Sequence, residues 1–136
     1  MDDIEAIRQL KARYFRTMDT KDWDAMRQVF TDDVVIDTTE AGGRVAHGVD
    51  EFMGFLQQAL EGAVTVHHGH MPEIDLTSDT TASGTWALHD LVIWPTGRLE
   101  GFGHYHETYE KGADGWRIKS SKLTRLHTDF ATPAEG

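Results

Sequence analysis

Gly84-Thr85-Trp86-Ala87-Leu88-His89-Asp90-Leu91-Val92-Ile93-Trp94 reads as a β-strand that carries one acid among large apolar residues. Aromatic and branched side chains fill it, and a period of two puts Trp86, Leu88, Asp90, Val92 and Trp94 on one face. Such a face belongs to an interior, where a carboxylate is costly unless something pairs with it. A histidine ring or a guanidinium would serve. A bulge that turns Asp90 out to water is the alternative.

Working outward, the strand texture repeats. Ser78-Asp79, Thr96-Gly97 and Ala113-Asp114-Gly115 are turns, the last two well suited to hairpins, and they divide runs expected as strands at 64–77, 81–95, 98–111 and 115–127. The texture upstream is helical. Ile4, Ile7, Leu10, Tyr14, Phe15 and Met18 recur at helical spacing, predicting an amphipathic helix over 3–19 with Asp2 or Asp3 as its cap. Asp22 can cap a second, shorter helix with Trp23, Met26, Val29 and Phe30 as its buried stripe. Val34 to Thr38 is a short β-rich run broken at Ala41-Gly42-Gly43, and a third helix is expected over 49–61. Helices followed by an antiparallel meander define an α+β architecture. One domain over 1–130 accounts for the pattern, with 131–136 expected to fray.

Composition narrows the function. The 136 residues carry 23 acids against 13 bases, a formal net charge of −10 that repels phosphate backbones and argues against nucleic acid as a partner. There is no cysteine, which excludes thiol catalysis, thiolate metal sites and disulfides and fits a cytoplasmic location. No apolar run reaches the roughly 20 residues of a membrane span, and the acidic amino terminus has no signal-peptide character.

Several residues could carry chemistry, and each has a structural reading beside the functional one. Tyr14 lies in the apolar stripe of the first helix, where it could be a core residue or a proton donor. Asp19 falls near the end of that helix, where the dipole disfavours an anion, and could shape the turn instead. His67 and His68 stand in sequence, and parity leaves open which faces inward, because Gly69 and Pro72 both invite a bulge. His68 with His70, and His104 with His106, have the spacing that would put two imidazoles on one strand face as metal ligands. Arg125 shares a face with Leu123 and could clamp a carbonyl, pair with an inward acid, or lie at the surface.

Asp3 to Asp19 resembles the opening helix of SnoaL-like proteins, the bacterial bile-acid 7α-dehydratases above all. Lys21-Asp22-Trp23-Asp24 is similar to scytalone dehydratase, which shares the fold of nuclear transport factor 2. Val66-His67-His68-Gly69-His70-Met71-Pro72-Glu73-Ile74, Gly84-Thr85-Trp86 to Asp90, Tyr109-Glu110-Lys111, Asp114-Gly115-Trp116 and Arg125 extend the likeness along nearly the whole chain. The resemblance implies a cone of three helices on a highly curved mixed or antiparallel sheet. It implies an active site of Tyr14, Asp19, His67, Asp90 and Arg125, and a homodimer or homotrimer packed through the outer sheet face. Where scytalone dehydratase has further tyrosines and a serine–asparagine pair, this chain has Met18, Thr38, Gly103 and Tyr105, which points away from a scytalone-like phenol. The extra terminal segments of the bile-acid enzymes are likewise missing.

The expectation is therefore a dehydratase-like lyase, or an isomerase or cyclase, working on a small apolar ring-containing carbonyl compound with neither organic cofactor nor metal. In it His67 is the base oriented by Asp90, Tyr14 is the acid with Asp19 behind it, and Arg125 orients the substrate. Met18, Phe55, Trp86, Leu88, Val92, Trp94 and Tyr105 are expected to wall the pocket. A non-catalytic binding domain and a metal enzyme built on the histidine pairs are the rival readings.

Overall fold

In the computed structural model, which describes residues 1–133, the chain runs α1 (Asp3–Asp19), α2 (Trp23–Arg27), β1 (Phe30–Asp37), a 3-10 turn (Thr39–Ala41), β2 (Val45–His47) and α3 (Val49–Ala59). It then forms four long strands, β3 (Val64–Leu76), β4 (Thr81–Trp94), β5 (Gly97–Gly112) and β6 (Gly115–Ala131). Asp2 caps α1 by accepting the Glu5 amide at 2.8 Å, and Asp22 caps α2 through the Ala25 amide at 3.3 Å. The helix α2 is shorter than its apolar stripe suggests. Val29 and Phe30 are buried as expected, but Phe30 already belongs to β1, where it pairs with Ile118.

All six strands form one sheet in the order β2-β1-β6-β5-β4-β3. The four long strands are the antiparallel meander read from the turns, and β1 adds to β6 in parallel, which makes the sheet mixed. Register shifts at His70/Glu73, Phe102/Gly103 and Thr108/Tyr109 bend the long strands around the helices. Ile7, Leu10, Tyr14 and Met18 of α1, Phe52 and Met53 of α3, and Trp86, Leu88, Tyr105, Tyr109 and Ile118 of the sheet pack into one interior cluster.

Burial along β4 alternates from Ala82 to Val92, so Asp90 does face inward, at 5% exposure. Pairing of β3 with β4 is unbroken from Val64 to His70, and the bulge falls only after His70. Parity therefore carries from buried Thr65 to buried His67 and leaves His68 outside. β6 continues through Ala131, which was expected to be part of a frayed tail; residues 134–136 of that tail lie outside the described residues. Among the described residues no helix is long and apolar enough to cross a membrane.

Candidate acid–base site

The register of the sheet lays His67, Asp90 and Gly101 in one row across β3, β4 and β5, with Arg125 of β6 opposite Gly103 just beyond. The row opens into a cavity of about 340 Å³, within the usual range for small-molecule sites. Tyr14, Asp37, Thr38, His67, Asp90, Tyr105, Ser121 and Arg125 are its polar lining. Met18, Phe55, Val92 and Trp94 line it as expected, joined by Phe52, Leu56 and Leu60 of the α3 region and by Leu99. Trp86 and Leu88 do not. Both share the inward face of β4, but they lie farther along the strand and are consumed by the core, Trp86 donating through Nε1 to the Tyr109 hydroxyl at 3.0 Å.

His67 is held by Asp19. Its Nδ1 lies 2.7 Å from Asp19 Oδ1, its backbone N–H donates to Oδ2 at 2.8 Å, and Thr65 Oγ1 donates to Oδ1 at 2.9 Å. Lys21 Nζ in turn donates to Thr65 Oγ1 at 2.8 Å. These donors explain an anion at the wrong end of α1: the helix dipole disfavours it there, and the edge of β3 supplies what the helix does not. Burial would raise the Asp19 carboxyl, but the hydrogen bonds from the His67 ring and backbone and from Thr65 outweigh it and hold the pKa below the ordinary value. With Nδ1 as the donor to Asp19, the neutral ring keeps its lone pair on Nε2, the nitrogen left for a proton from a ligand. Phe15 lies nearly parallel to the imidazole, at a centroid distance of 6.5 Å and an interplanar angle of 16°.

Asp90 has a different partner from the one expected. Arg125 grips it with both terminal nitrogens, Nη1 to Oδ1 at 2.6 Å and Nη2 to Oδ2 at 3.0 Å, with both side chains nearly buried. Of the two partners that could stabilise an inward Asp90, the guanidinium takes it, although His67 is the register partner of Asp90 across β3 and β4. Asp19 is likewise not behind Tyr14 as a hydrogen-bond partner; it serves His67. The Tyr14 ring instead meets that of Tyr105 edge to face at 5.8 Å. Burial is the main cause that pushes both phenols upward, Tyr14 comes next for Tyr105, and the carboxylates of Asp90 and Glu107 add to both, so both phenols are neutral at ordinary pH.

Gly101 makes the Asp90–Arg125 pair possible. A Cβ there would stand 2.6 Å from Asp90 Oδ1 and closer still to Arg125 Nη1, so the pair crosses β5 over a residue with no side chain. Gly101→Ala is expected to destabilise the fold by about 1–3 kcal/mol through forced displacement of the pair, which thermal unfolding would measure.

Sequence reasoning missed Thr65, Ser121, Lys11 and Glu107. Thr65 could have been found from its parity with His67. Lys11 could have been noticed within the apolar stripe of α1, three residues before Tyr14. The histidine pairs sit on the outer face, His68 and His70 with ring centroids 6.1 Å apart and His104 and His106 6.2 Å apart. Among the described residues no three His, Asp or Glu side chains converge as a metal site.

Helices packed on one mixed six-stranded sheet define the class of fold, and comparison places the chain within it. The profile described as SnoaL-like domain matches residues 1–122, so the chain belongs to the SnoaL-like family. Probable cyclase FGR4 of Gibberella zeae is 24% identical over 89% of each protein. A Novosphingobium aromaticivorans structure provisionally called a scytalone dehydratase superposes with a TM-score of 0.84 at 21% identity, covering 93% of this chain and 85% of its own. A hexachlorocyclohexane dehydrochlorinase superposes at 0.82 with 15% identity, covering 95% of this chain and 88% of its own. At such identities the structures establish a shared fold and nothing further.

Proposed function

We propose that this chain is an acid–base enzyme, a dehydratase-like lyase acting on a small apolar ring compound with an enolisable carbonyl. The carrying observation is the Asp19–His67 pair at 2.7 Å, whose His67 lines a cavity that the neutral phenols of Tyr14 and Tyr105 also line. His67 Nε2 takes the proton from the carbon next to the carbonyl, and Asp19 stabilises the imidazolium that forms. The C–H electron pair moves to the carbonyl oxygen, where Tyr14 donates a hydrogen bond. The enolate then collapses, expelling a β-hydroxyl that leaves as water with the proton from His67. Arg125, neutralised by Asp90, holds the polar end of the cavity and orients the substrate. The names of the cyclase, the dehydratase and the dehydrochlorinase are in keeping with proton abstraction followed by elimination or rearrangement. A neutral substrate also suits a protein of net charge −10.

The reading is tested with steroid-like and polyketide-like ring ketones in deuterium oxide, following exchange and water loss by NMR. Wild-type protein should catalyse exchange next to the carbonyl and release the dehydrated product with β-hydroxy ketones. Tight binding with neither exchange nor product would replace the lyase by a binding domain.

Acid should act through the same dyad. The Asp19 pKa is depressed in the folded state, so the stability it contributes is present above its ordinary value near ~4 and is lost as pH falls through the lower folded value. Asp19→Asn is expected to flatten that part of the acid unfolding curve. An unchanged curve would show that the His67 and Thr65 contacts do not stabilise the carboxylate.

A further inference from the structure

Lys11 is fully buried, and the cavity lining does not include it. Its ammonium lies between two phenol rings, 3.7 Å from the centroid of Tyr14 and 3.6 Å from that of Tyr105. Phe15 is the next ring, at 5.0 Å. Among the described residues, the one carboxylate paired with it is Glu107, at 2.8 Å, itself fully buried. Glu107 is turned to other donors as well, accepting from the Tyr109 hydroxyl at 2.9 Å and from Ser121 Oγ at 2.8 Å. Ser121 and both sandwiching tyrosines line the cavity. The ammonium thus lies against two aromatic rings of the cavity lining, which meet each other edge to face.

Stability alone does not account for this arrangement. A buried ion pair is often no better than two well-packed apolar side chains of the same volume, because both charges lose their water. A cation on the face of a phenol favours negative charge on that ring and on anything its hydroxyl donates to. Here one cation faces two such rings at once.

We propose that Lys11 is a positioning residue that makes the Tyr14–Tyr105 pair a receptor for an oxyanion, so that the cavity prefers an enolate-like or phenolate-like ligand to its neutral form. Lys11 acts through the phenols, fixing both rings against one charge while Glu107 holds that charge from behind. The inference deepens the acid–base reading by assigning where the enolate oxygen of the substrate sits.

Binding of 4-nitrophenol, whose ionised form absorbs in the visible, measures the preference directly. Wild-type protein is expected to bind 4-nitrophenolate over the neutral phenol. The charge-free pair K11Q/E107Q, which keeps a hydrogen bond between the two side chains, should lower that preference about tenfold or more. A wild type that binds only the neutral phenol overturns the inference, and so does a double variant with the wild-type ratio. Should the double variant not fold, the wild type still decides. The buried ammonium nitrogen, followed by 15N NMR, should shift on binding 4-nitrophenolate and not nitrobenzene, and an equal response to both overturns the assignment. A wild type that prefers phenolate but exchanges no ketone proton would leave the oxyanion receptor standing and remove the lyase.

Discussion

Replacing His67 with alanine is expected to lower turnover by about 10²–10⁴-fold, the range for loss of a positioned general base. The fold should survive, because Asp19 keeps the backbone N–H of residue 67 and the Thr65 hydroxyl as donors. Asp19→Asn should fall almost as far by another route. An asparagine amide can donate to Nδ1, which would move the ring proton to Nε2 and leave the cavity facing an N–H instead of a lone pair. Steady-state kinetics on any ketone that the wild type exchanges separates the two, since added imidazole can rescue only the emptied His67 site. Near-wild-type turnover in His67→Ala would remove the base assignment.

The second large effect is on stability. Asp90→Ala strands the Arg125 guanidinium, whose side chain is 11% exposed, without its counter-charge. Breaking a buried pair from one side costs about 3–5 kcal/mol, which in a domain of this size lowers Tm on the order of 10 °C or more. Removing both partners should cost much less. Asp90→Leu combined with Arg125→Met leaves no charge behind, so its Tm should return most of the way to the wild-type value. If Arg125 orients substrate, the double variant will be stable and still slow. A stable double variant with full turnover would confine Asp90 and Arg125 to the core. A single Asp90→Ala variant as stable as the wild type would show that the pair is screened by water.

Much of this molecule was legible as pattern. The period of β4 placed Asp90 inside before any partner was known, and the helical spacing of α1 put Tyr14 and Met18 in the interior. The hairpin turns gave the meander its order. Local rules suffice for such features because they follow from backbone geometry and from which side chains avoid water. The residue types of the site were equally readable once the family resemblance joined them, although their roles had to be reassigned.

What periodicity could not supply was pairing between segments distant in the chain. Asp90 was compatible with a histidine or an arginine, and which one holds it depends on β6 lying next to β5, with Gly101 of β5 between Asp90 and Arg125. Asp19 looked like a turn residue because the partners that stabilise it, Thr65 and His67, lie on the far side of α2, β1, β2 and α3 in sequence. Trp86 and Leu88 had the correct parity for the pocket and were taken by the core, since parity chooses a face and not a depth along the strand. The choice of His67 over His68 needed the position of one bulge, after His70. In each case the sequence by itself determined which side chains turn inward, through solvent avoidance and a fixed period. Tertiary packing alone decided which of them meet, because charges a few ångströms apart in the interior belong to strands and helices that the chain connects only at long range.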